Sequence, residues 1–165
     1  MTPWSARVSE ERSLFNPAFI GALVAAGASG YRESGRNLPL MHAFVLVPLI
    51  LYKQSRVALP RSLRTSLAAW VQEHPVARAD VVARTRPMVP IVREGVLFGA
   101  IHGLLELGPD ATLSPDRAAS QVLRLTGDWR TAEIDDCLKK AAFVGRWFGR
   151  SGTPETVLIL WGVRP

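Results

Sequence analysis

The sequence predicts a single, mostly helical domain with a small β-hairpin and a C-terminal strand, its elements in a winged-helix-like order. The uncharged run from Leu38 to Tyr52 turns abruptly into a basic stretch with an apolar stripe, so a buried element leads into a presenting one. The segment LLELGPDATLS at 104–114 sets two short runs around Gly108, Pro109 and Asp110, which is a hairpin signature. At 156–161, TVLILW is β-branched and aromatic, which predicts a strand.

A chain of 165 residues, 48% hydrophobic and 21% charged, is long enough for one domain with its own core and is neither disordered nor fibrous in composition. The pattern divides it into an extended N-terminal arm (1–13), a helical core with a hairpin wing (14–113), and C-terminal helices with a strand (114–165). In the arm, Trp4 is one large apolar anchor among mixed charges. Asn16 before Pro17 is a helix start, asparagine capping and proline at the first helical position. The helix that follows, through Tyr31, is built of small and apolar residues and is expected to pack closely on more than one side. Gly35 in RESGRN is a candidate end cap.

The central stretch predicts a helix from about Leu40 to Tyr52, kinked or divided at Pro48. Pro60 is expected to open the next helix and Pro75 to end it by His74. Its Leu63, Leu67, Trp70 and Val71 form one apolar stripe, with Arg61 and Arg64 off the stripe near the start. A basic helix is expected over 76–86, then a break at Pro87 and Pro90, then an apolar helix over 91–103. Beyond the hairpin, Ser114-Pro115-Asp116 reads as a helix start for a segment running to about Leu125. A last helix over 131–150 is expected to carry Asp135–Lys139 and Asp136–Lys140 pairs on its wet side. The closing strand needs a partner, either the hairpin or an edge in another protein.

The charge is unusual in kind as well as size. The formal charge is +6, and only three of the twenty basic residues are lysines, at 53, 139 and 140. Arginine suits bidentate contact with phosphate or carboxylate. Arg56, Arg61, Arg64 and Arg78 gather around the third predicted helix as a candidate partner- or DNA-binding patch; a solvated face explains them equally well. Trp4, Trp129 and Trp161 lie where periodicity is weak, so each is a candidate anchor for a partner as well as a core residue. Val157, Ile159 and Trp161 would present the strand edge.

Chemistry-bearing motifs are missing. There is no phosphate loop, no GxGxxG after a strand and no HExxH. His42, His74 and His102 are scattered through apolar or helix-end contexts. Asp135 and Asp136 are adjacent on a helix and point about 100° apart. The lone Cys137 rules out an internal disulfide or a cysteine-cluster zinc site and fits a buried, inert thiol. The expectation is a non-enzyme with no catalytic residues, cofactor or metal. The start MTPWSARVSEER has no secretory pattern, and the apolar run Leu38–Tyr52, interrupted by Pro39 and Pro48, is shorter than the roughly 20 residues that span a bilayer, so a cytoplasmic protein without membrane contact is expected.

Six segments together carry a family resemblance: LFNPAFI at 14–20, GYRESG at 30–35, LPLMHAFVLVPLIL at 38–51, LPRSLRTSLAAWVQEHP at 59–75, FGAIHGLLEL at 98–107, and AAFVGRWFGRSGTPETVLILWGVRP at 141–165. In this order they resemble the middle components of bacterial three-component ABC ATPase systems, such as the Lamassu class of anti-phage and anti-plasmid defence. The resemblance implies a non-enzymatic adaptor between an SMC/Rad50-like ABC ATPase and a variable effector such as a nuclease, reaching DNA through the assembled complex. Such an adaptor would place residues 59–74 and the hairpin on one partner, and the arm and strand on the other. The alternative from the residues alone is a free-standing winged-helix DNA-binding regulator, its arginines on phosphates.

Overall fold

A computed structural model describes residues 15–116, 119 and 131–163. Trp4, Trp129 and the helix expected after Asp116 fall outside the described residues, apart from Ala119, which is helical. The described chain forms helices α1 (Pro17–Arg32), α2 (Leu40–Leu51), α3 (Lys53–Val57), α4 (Leu67–Glu73), α5 (Pro75–Ile101), α6 (Ala132–Gly149) and α7 (Pro154–Trp161). Strands β1 (Leu38–Pro39), β2 (Leu105–Leu107) and β3 (Thr112–Pro115) complete it.

Helix α1 is the central rod. The Asn16 side chain accepts from the Ala18 N–H at 2.9 Å and Pro17 fills the first helical position, as expected. Two neighbours approach it at backbone distance because both helices carry glycine at the contact. A Cβ on Gly145 of α6 would collide with the Gly27 carbonyl, and one on Gly30 of α1 with the Ala142 carbonyl. On the α5 side, a Cβ on Gly95 would run into Ile20. The small-residue composition of α1 thus reflects close packing on two sides.

Helix α2 passes through Pro48 and ends at Leu51, within one residue of the expected end, with Ala43, Val45, Leu46, Val47, Leu49 and Ile50 fully buried. The hairpin forms as predicted, with Leu107 opposite Leu113. Its third strand was not foreseen: Leu38 pairs with Leu113 and Pro39 with Thr112, giving an antiparallel sheet of order β1-β3-β2.

Four sequence expectations are corrected. Residues 60–66 are not helical; the helix starts after Ser66, whose hydroxyl accepts from the Ala69 N–H at 3.1 Å. Pro87 and Pro90 do not break the chain into two helices: both are exposed positions of a continuous α5. Ser114 and Pro115 belong to β3, paired with Glu106 and Leu105, so sheet pairing overrides the local cap signal at these two positions. The C-terminal strand is instead helix α7: Thr153 accepts from the Thr156 N–H at 3.3 Å, Pro154 opens the helix, and Gly162 ends it at φ 76°, in the left-handed conformation glycine favours.

An aromatic cluster joins these pieces. The Trp70 ring lies 5.7 Å from both Trp147 and Trp161, and Phe148 lies 6.4 Å from Trp161. Cys137 is buried within α6, and burial pushes its thiol pKa up, which keeps it inert.

Candidate partner interface

The predicted arginine patch separates into three structural roles. Arg56, on α3, is 2% exposed. Its Nη2 donates to Glu133 Oε1 at 2.6 Å, its Nε to Asp136 Oδ2 at 2.7 Å and its Nη1 to the Ile50 carbonyl at 2.8 Å. It is a clamp between α3, the end of α2 and the start of α6, so its assignment as a surface binding residue is corrected. Asp136 likewise pairs with Arg56, and the expected pairing with Lys140 gives way to it.

Arg61 and Arg64 are exposed on the irregular 58–66 segment. That segment is pinned at both ends by indole donors: Trp70 Nε1 to the Ala58 carbonyl at 2.9 Å and Trp147 Nε1 to the Thr65 carbonyl at 2.8 Å. The aromatic cluster therefore holds the loop while its arginines reach solvent. Arg78, on α5, donates from Nε to the Trp161 carbonyl at 3.1 Å, which fixes its guanidinium over the end of α7.

The C-terminal candidates are reassigned with the strand. Val157 and Trp161 are fully buried in the core, so neither is an exposed anchor, while Ile159 is 73% exposed on the outer face of α7. A strand would have sent 157, 159 and 161 to one side. A helix turns 157 and 161 inward together and leaves 159 outside. Trp4 lies outside the described residues.

One concavity among the described residues was missed by sequence reasoning. It is an apolar groove of about 660 Å³ among α2, α5 and α7, lined by Met41, Phe44, Val82, Val89, Leu158 and Val163, with Arg86 at its edge. A second cavity of about 360 Å³ continues it past Val82, Ala83 and Gly162 to Ala79, Arg78 and Pro75. Thr85 turns its hydroxyl back to the Val81 carbonyl at 3.0 Å, so its side chain adds no free donor to the groove wall. The signal available in the sequence was the pair Pro87 and Pro90, which removes the amide donors for the Ala83 and Arg86 carbonyls beside this groove.

Among the described residues, no three His, Cys, Asp or Glu side chains are placed to hold a metal ion. His42 is fully buried, its Nε2 3.1 Å from the Pro154 carbonyl and its ring edge-on to Tyr31 and Phe148. No described helix is long and apolar enough to cross a membrane.

Compared with known proteins, residues 4–165 match the family described as ABC-three component (ABC-3C) system Middle Component 3. No curated protein and no solved structure matches the chain.

Proposed function

The chain belongs to the Middle Component 3 family of ABC three-component systems, and we propose that it is the non-enzymatic adaptor of such a system, bridging its ABC ATPase to its effector. Membership implies partner ABC components, and a match over residues 4–165 is the observation that carries the adaptor reading. The partners are an SMC/Rad50-like ATPase and a variable effector such as a nuclease, in a Lamassu-like anti-phage or anti-plasmid complex that meets DNA once assembled. The adaptor itself transforms no substrate.

In favour of a winged-helix domain stand the sheet order β1-β3-β2 and a β1 that lies between α1 and α2, with the hairpin following the last helix of the set. On that basis the presenting helix is α5, directly before the hairpin, in place of residues 59–74. The pinned loop with Arg61 and Arg64 forms a second contact surface.

Co-expression with the two flanking gene products, followed by affinity purification and mass determination, tests the adaptor directly. A stable complex with a large coiled-coil ATPase is the expected result. A lone protein that shifts duplex DNA with steep salt dependence would instead make it a DNA-binding regulator.

A further inference from the structure

We infer that the trough along α5 is the docking site for an amphipathic helix of a partner component, one with an apolar stripe flanked by carboxylates about two turns apart. The inference rests on the adaptor reading and adds the surface and the chemistry of its occupant. The two cavities share Val82, Ala83 and Gly162, so they form one trough that follows α5 from Arg78 to Val89. At about 1.5 Å per residue this is roughly 17 Å, the length of about three helical turns.

The polarity of the trough selects the occupant. Small-molecule sites combine apolar walls with several converging polar groups that fix orientation. Here the Thr85 hydroxyl is already bonded within its own helix. The charged groups along the trough are Arg78 and Arg86, and neither has a carboxylate partner among the described residues. They stand eight residues apart on α5, roughly 12 Å along its axis. Carboxylates at i and i+7 or i+8 on a bound helix match that spacing, with apolar residues between them in the groove. Met41, 37% exposed, is an adaptable wall for such a stripe.

A second copy of this chain fits poorly. The exposed pair Leu97 and Ile101 on α5 of such a copy continues into Arg93 at the same i, i+4 spacing, and would set Arg93 against the trough arginines. Like charges oppose that arrangement.

The test uses the full chain with its ATPase and effector. Arg86→Glu and Ala83→Trp both alter exposed positions on the trough and are expected to keep the wild-type melting temperature within a few degrees. Each should weaken binding to one and the same partner more than tenfold and leave the other within twofold. A photo-crosslinking benzoylphenylalanine at position 83 should capture a segment of that partner with apolar residues at helical spacing and flanking Asp or Glu. Wild-type complexes whose affinity neither variant changes beyond twofold would overturn the docking site and leave the adaptor intact. Crosslinks only to residues 1–14 of the same chain, or to a second copy, would also overturn it. Wild-type protein that binds neither component would remove the adaptor reading and this inference together.

Discussion

Arg56 and its carboxylates show how burial decides the cost of breaking an ion pair. The Arg56 side chain is 3% exposed, while Glu133 and Asp136 are 60% and 47% exposed. Removing the arginine leaves two acids that water can reach; removing the acids leaves a guanidinium that water cannot. Arg56→Met is therefore expected to cost about 1 kcal/mol, mainly lost hydrogen bonds partly offset by packing. The double change Glu133→Gln with Asp136→Asn should cost about 3 kcal/mol, in the range for an uncompensated buried charge. Urea unfolding of the two variants checks the order, and an Arg56→Met loss at least as large as the double change contradicts it. His42 gives the pH counterpart. Burial holds its pKa below the ordinary 6.5, against the opposing pull of the Pro154 carbonyl. The unfolded chain then binds a proton near pH 6.5 that the folded chain refuses. Stability from this residue is complete above that pH and falls as the pH drops below it, by at most about 1.4 kcal/mol per unit. His42→Phe should flatten that part of the stability profile; an equally steep acid limb in the variant would acquit His42. Cys137 as an inert thiol was legible from its helical spacing. The burial of Arg56 was not, because its partners lie some eighty residues away.

At the level of elements, two nearly identical local signals had opposite outcomes. Ser114-Pro115-Asp116 reads as a helix start, yet Ser114 and Pro115 end strand β3; Thr153-Pro154-Glu155 is a helix start although the β-branched run behind it reads as strand. In the first case β1 and β2 flank β3 on both sides and their pairing wins. In the second the side-chain cap wins, because burial of Val157, Leu158 and Trp161 on one helical face outweighs weak β-propensity. Propensity is informative only until a tertiary partner is known. The α1–α6 crossing gives the sharpest test at this scale. In an ordinary helix Gly→Ala stabilises by up to about 1 kcal/mol. At Gly145 the new methyl would drive into the Gly27 carbonyl and the Tyr31 amide, both backbone, which cannot swing aside. Gly145→Ala should instead destabilise by about 2 kcal/mol, typical of overpacking. A thermal midpoint equal to or above the wild type would mean the two helices can separate at little cost.

The molecule as a whole is strongly basic, at +6, yet the four arginines that read as one patch are separated in the structure. Arg56 is consumed in the core, Arg78 and Arg86 flank the apolar trough, and Arg61 and Arg64 stand on the pinned loop. Such dispersal was invisible in a linear reading that placed four of them around one helix. Affinity for duplex DNA grows with the number of phosphates neutralised together, so separating these four arginines lowers what that patch alone could contribute. If DNA is reached through the assembled complex, the free chain should bind duplex DNA only in the non-specific range, at a dissociation constant of roughly 10⁻⁴ to 10⁻⁶ M at physiological salt. The complex should bind more tightly, and Arg61→Glu with Arg64→Glu should lower its salt slope by about two if both arginines contact phosphates. Fluorescence anisotropy across a salt series distinguishes the cases. Nanomolar binding by the free chain would turn the assignment toward a regulator. An unchanged slope and unchanged partner binding in the double variant would take the pinned loop out of both interfaces.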